Sequence, residues 1–318
     1  MRLWQQSMIF LARNPSMKHF MQNRATMSDL AMRFVGGKDV AQAAEKSQAL
    51  KAQGVKASLF YLGEYVEDVA IINQTVWALK AIAGELAAAK LDVHISVDPT
   101  QIGYQLDEKI CRTNAIEIAT EIRKVARDSN GDSKNFLMLD MEDSSVAAAT
   151  IGLYEALIEA SLPAALTLQA YLFRTEADLQ SIVRRGGAVR LVKGAFAEGK
   201  VVAFTGQAAI DENFMKLTAL MFSDPARQSG FYPIFATHDD QLIEKIIAMA
   251  ERRGWKKEAY EFEMLYGVRI DLQQKLVDRG EQLRLYLPFG TDWWPYAVRR
   301  VGESPKNARF LLRSLIGS

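Results

Sequence analysis

A chain of 318 residues, 49% hydrophobic and 24% charged, can bury a large core in one α/β domain or in two smaller ones. A formal net charge of +1 argues against a general nucleic-acid or anionic-membrane partner. One cysteine, Cys111, allows no internal disulfide and suits a reducing compartment. No apolar run reaches the length of a membrane span, and the opening MRLWQQSMIFLARNPS has too short an apolar core for a signal peptide. The expectation is a cytoplasmic protein, with peripheral membrane contact left open.

In chain order, residues 1 to about 55 read as a helical arm. MSDLAMRFVGG and VAQAAEKSQALKAQG each show helical spacing and a glycine stop. Eight strand-like runs follow: ASLFYLG, LDVHISVD, NFLMLDME, AALTLQAYL, VRLVKGAF, YPIFATHD, YEFEMLYGV and LRLYLPFG. Stretches of helical period such as QTVWALKAIAGELAAAK separate most of them. This alternation predicts an α/β fold, a (β/α)8 TIM-type barrel over residues 56–318 preceded by the arm over 1–55.

Catalytic groups in such barrels project from the C-terminal ends of the strands. Polar residues gather there: His94, Ser96 and Asp98 on one face of the second run, Asp140 closing the third, and Thr167, Gln169 and Tyr171 on the fourth. Thr237 and His238 close the sixth, Glu261 and Glu263 lie in the seventh, and Arg284 and Tyr286 in the eighth. Barrel interiors are usually filled by branched apolar chains, so this polar upper layer predicts a large polar occupant.

Beyond the eighth run, GTDWWPYAVRRVGESPKN reads as one more helix, with Thr291 or Asp292 to cap it and Pro295 in its first turn. Ser304-Pro305 then interrupts it. Tyr296, Arg299, Arg300 and Glu303 fall at i, i+3, i+4 and i+7, on one face shaped to receive an anion. Adjacent arginines taken alone are more often a solvated surface, and Asp140 taken alone a loop-end cap. Three histidines (His19, His94 and His238), one cysteine and no H-E-x-x-H argue against a zinc or iron site. His94 reads as a satisfied interior residue.

In this order LVKGAF, DMEDS, LQAYL, ATHD, FEMLYGV and YLPFGTDWWPYAVRRVGESPKN together resemble the proline dehydrogenases. The resemblance runs from about residue 57 to the C-terminus. It implies a distorted barrel that binds FAD and oxidises L-proline to Δ1-pyrroline-5-carboxylate, the first step of proline catabolism. It also implies a quinone electron acceptor, hence transient membrane contact. No G-x-G-x-x-G is present, so a Rossmann flavin domain is not available. By the same resemblance Arg299 and Arg300 grip the substrate carboxylate, for which a forked guanidinium suits better than an ammonium. Tyr286 and Tyr296 wall its ring, Asp140 lies near both flavin and substrate, and Leu191 is an apolar neighbour of the substrate. The flavin contacts implied are Asp140, Gln169, Arg190, Val192, Gly194, Ala195, Thr205, Thr237, His238, Leu265, Arg300, Glu303 and Phe310.

Two positions depart from the family pattern. SVDPTQIG places Asp98 where the family usually carries a lysine beside the substrate carboxylate, and VKGAF has Phe196 where a tyrosine is common. A carboxylate facing a carboxylate costs binding unless it is neutralised. Asp98 could pair with an arginine, protonate, turn away, or meet a hydroxyl or cation on a related cyclic or N-substituted amino acid. Two rival readings stay open: a Schiff-base aldolase using Lys193 with Asp140, and a barrel that binds its ligand without turnover.

Overall fold

A computed structural model describes residues 32–63, 66–127 and 133–297. Eight parallel strands close into a barrel in sequence order: β1 (Lys56–Tyr61), β2 (His94–Val97), β3 (Phe136–Leu139), β4 (Ala164–Gln169), β5 (Ala188–Val192), β6 (Tyr232–Ala236), β7 (Glu261–Leu265) and β8 (Leu283–Phe289). The seam runs from Lys56↔Arg284 to Tyr61↔Phe289, so neither β1 nor β8 presents a free edge.

The period-two alternation of the strands sorts their side chains. Leu59, Ile95, Leu139, Leu166, Leu191, Phe235 and Leu285 share one buried core with helix residues such as Leu79, Ile118, Leu157 and Ile246. The helices are α1 (Val40–Lys51), α2 (Val69–Ala88), α3 (Glu108–Val125), α4 (Ala147–Glu159), α5 (Thr175–Arg184), α6 (Gln207–Met221), α7 (Asp224–Ser229), α8 (Asp240–Arg252) and α9 (Ile270–Asp278). Aspartates start several of them: Asp39, Asp68, Asp107 and Asp239 each accept backbone N–H bonds at the first turn of α1, α2, α3 and α8. After β8, residues 294–297 are helical, and Ala297 N–H donates to Trp293 O at 2.9 Å.

In the arm, VAQAAEKSQALKAQG carries α1 as its spacing predicts. Of MSDLAMRFVGG, the described part is turns and bends rather than helix. Its backbone is committed elsewhere: Gly36 N–H donates to Pro288 O, and Gly37 O accepts from Gly290 N–H, which pins the segment to the mouth end of β8. α1 packs on β1, β8 and α2, beside the strands that form the seam.

The polar lining also reaches deeper than the strand ends. Near the base Arg284, fully buried, meets Glu261 at 2.7 Å and Asp92 at 2.8 Å, and gives a third bond to Ala57 O. Tyr232 Oη donates to Glu261 at 3.1 Å. These charges compensate one another and need no ligand, so the polar lining expected to mark one occupant splits into two clusters.

Candidate active site

The upper cluster centres on Arg190, an inward residue of β5 that is 4% exposed. Its guanidinium pairs with Asp140 at the end of β3 and with Glu263 of β7 at 2.7 Å. Nε donates to Thr167 Oγ1 at 3.0 Å, and Nη1 also donates to Ser96 Oγ at 3.2 Å. Asp140 in turn accepts from Thr167 Oγ1 at 3.3 Å and from Tyr286 Oη at 2.9 Å. The Tyr286 ring lies 5.4 Å from the Arg190 guanidinium and stacks on Phe60. Partners from β2, β3, β4, β7 and β8 thus converge on one forked cation carried by β5, a geometry that an ammonium could not span. Burial raises the Glu263 carboxyl above the usual range, against the pull of Arg190.

The segment after β3 organises the surrounding loops by continuing an alternating pattern. Asp140 turns to Arg190. Glu142, 4% exposed, accepts from Thr100 N at 3.1 Å and Thr100 Oγ1 at 2.6 Å, which holds the 3-10 turn Pro99–Ile102. Ser144 gives its N–H and its hydroxyl to the two oxygens of Glu198, both at 2.7 Å, tying in the loop after β5. Glu142 and Glu198 were missed in the sequence. The spacing Asp140, Glu142, Ser144 was a signal for the first of them, whereas nothing local marks Glu198.

Gln169 ends β4 almost fully buried. Its Nε2 donates to Met141 O at 3.2 Å, and its Oε1 has no hydrogen-bond partner among the described residues. Val192 and Gly194 continue β5 at partial exposure, with Ala195 exposed. Gly194 has φ +112, and a Cβ there would fall 2.3 Å from the Tyr171 ring, so only glycine lets this loop lie so close. Thr237 is buried and accepts from Asp239 N–H. His238 Nε2 accepts from Leu265 N–H at 2.9 Å. Thr205 is exposed, just ahead of α6.

Asp98 is partly exposed and immediately precedes the 3-10 turn at the mouth end of β2; its carbonyl accepts from Gln101 N–H. Tyr296 is buried. Leu191 sits differently from the rest: the alternation that turns Arg190 and Val192 inward puts it in the core between strands and helices. Arg299, Arg300, Glu303 and Phe310 lie outside the described residues.

Lys193 lies 2.7 Å from Asp211 and 2.8 Å from Asp239. Burial alone would lower its ammonium, but the two carboxylates outweigh it and raise it. Among the described residues no His/Cys/Asp/Glu group could hold a metal ion, and no helix is long and apolar enough to cross a membrane.

The family model described as proline dehydrogenase matches residues 43–313. The chain is 30% identical over 320 residues to the proline dehydrogenase of Deinococcus radiodurans, covering 99% of this chain and 98% of that protein. It is 32% identical to proline dehydrogenase 1 of Bacillus subtilis subsp. natto over 97% of each. Among solved structures, proline utilization A from Bdellovibrio bacteriovorus, inactivated by N-propargylglycine, superposes with a TM-score of 0.77 at 21% identity. That match covers 92% of this chain and 34% of the larger one, and shows a shared fold.

Proposed function

The chain belongs to the proline dehydrogenase family, and from that premise we propose how its own residues perform the flavin-dependent oxidation of L-proline to Δ1-pyrroline-5-carboxylate, the first step of proline catabolism. FAD is the flavin of this reading. The barrel residues suit such a group: Gln169 offers a buried carbonyl oxygen with no partner among the described residues, an acceptor for a ring N–H. Arg190 offers a rigid cation held at the mouth, a donor for the polar edge of an isoalloxazine. Val192, Gly194, Ala195, Thr205, Thr237, His238 and Leu265 would complete the cradle, with Arg300, Glu303 and Phe310 added from the final segment. When bound, FAD supplies the acceptor for a hydride from the carbon beside the ring nitrogen.

The protein's part is to bind and orient. Arg299 and Arg300 would take the carboxylate in a bidentate grip. Tyr286 and Tyr296 would wall the ring and exclude water. The substrate must present a neutral secondary amine, whose lone pair drives the hydride out. Asp140 is already committed to Arg190, Thr167 and Tyr286, so its role is to fix that tyrosine and that arginine together. The observation that carries the reading is this buried Arg190–Asp140–Tyr286 set at the mouth of a closed barrel. The purified protein should absorb at about 450 nm, and anaerobic L-proline should bleach that band. A colourless protein that L-proline leaves unchanged would overturn it.

A second reading concerns the substrate and rests on Asp98, a carboxylate at the mouth end of β2. It favours a related cyclic or N-substituted amino acid carrying a hydroxyl or cation to meet it. Under this reading a panel of cyclic amino acids turns over faster than L-proline, and Asp98→Lys raises L-proline turnover roughly tenfold, the scale of one charge-assisted contact. An aldolase is disfavoured: Lys193 is clamped by Asp211 and Asp239 and held protonated, the opposite of an amine nucleophile. A quinone is the proposed electron acceptor, reached by transient membrane contact.

A further inference from the structure

Beneath Arg190 a row of buried polar groups crosses the barrel interior. Nη1 of Arg190 donates to Ser96 Oγ at 3.2 Å, Ser96 and Ser58 hydroxyls lie 3.0 Å apart, and Ser58 Oγ lies 2.9 Å from His94 Nδ1. Ser58, Ser96 and His94 are all 0% exposed, so water does not reach them. Guanidinium has donors and no acceptor, which gives the row a direction. Ser96 receives from Arg190, so its own proton has one acceptor among the described residues, Ser58. The Ser58 proton then has only the Nδ1 lone pair of His94. Were Nδ1 protonated, the row would reverse and leave the Ser96 hydroxyl proton without an acceptor in a dry interior. Burial, together with Arg284, Arg190 and Lys56 nearby, holds the ring neutral and so agrees with this direction.

We propose that His94, as its Nε2–H tautomer, is a positioning residue that terminates a two-serine hydrogen-bond row and thereby holds the Arg190 guanidinium in register with Asp140 and Glu263. Its Nε2–H has no hydrogen-bond partner among the described residues, and the ring meets Phe136 edge to face at 5.9 Å. The row therefore ends on one unpartnered donor, while each of its two hydroxyl protons has an acceptor.

The two described histidines should be opposite tautomers, because His238 accepts at Nε2 from Leu265 N–H. Nitrogen NMR of the histidine-labelled holoenzyme, assigned by variants, should show His94 with bare Nδ1 and His238 with bare Nε2. A proton on His94 Nδ1, in either the neutral or the charged ring, overturns the proposal. In turnover, His94→Asn retains an acceptor near the Nδ1 position, whereas His94→Leu retains apolar volume. The expected order is a kcat loss of roughly tenfold for Leu, the worth of one hydrogen bond, and about threefold or less for Asn. Equal losses, or a better Leu variant, would mean a packing role only. The turnover effect rests on Arg190 acting at the flavin site as read above, but the tautomer does not. A failure of that reading therefore leaves the tautomer result standing, and the tautomer decides if neither variant folds.

Discussion

Arg190 shows how one side chain can be both structural and functional. It faces two carboxylates, Asp140 and Glu263, in a pocket where all three are largely buried. Removing the cation leaves two acids facing each other without compensation, the costly way to break a buried pair. Arg190→Met should therefore lose about 3–5 kcal/mol of stability. Denaturant titration would measure this, and a loss below about 1 kcal/mol would show that the pocket is wetter than its burial indicates. The Glu263 carboxyl is raised in the same pocket, because burial, reinforced by Glu261, outweighs the pull of Arg190 and Arg284. The family resemblance pointed to Arg190 and Asp140. That they are direct partners depends on β3 and β5 lying two strands apart around the barrel, which no local pattern displays.

Elements at the mouth are joined by short polar latches as well as by apolar contacts such as Phe173 on Phe204. Glu142 grips Thr100, Glu198 grips Ser144, and Asp239 both caps α8 and holds Lys193 at the end of β5. Asp239→Ala removes the cap on Gln241 and Leu242 N–H groups and leaves Lys193 with Asp211 alone. The expected cost is about 1–2 kcal/mol, nearly all from the cap, because the ion pair is partly exposed and screened. Thermal unfolding would check it. Adding salt should narrow the gap only slightly, since a cap is screened less than an exposed pair.

At the scale of the whole barrel, burial of a titratable group in the outer core couples folding to pH. Tyr154, in α4, is buried in the outer core, and burial pushes its phenol up to about 12 from 10.0. Between those values the folded chain holds a proton that the unfolded chain releases, so stability present below pH 10 is lost as pH rises toward 12. Stability curves at several alkaline pH values should fall through that window, and Tyr154→Phe should flatten the fall. An unchanged slope in the variant would assign the loss to other groups.

The strand and helix order was legible from periodicity, because each strand alternates and each intervening helix repeats on its own turn. Closure followed from eight such units, and the polar residues facing inward could be listed before their partners were known. Partnership could not be listed, since it is a property of distance in space. The sorting of inner charges into a basal set around Arg284 and an upper set around Arg190 depends on register between strands far apart in sequence. So does the row from His94 to Arg190, whose members come from β1, β2 and β5. Composition and spacing thus dictate which groups line the barrel. The closed geometry dictates which of them share a proton, because hydrogen bonds form across strands and their direction is set by whichever partner cannot accept.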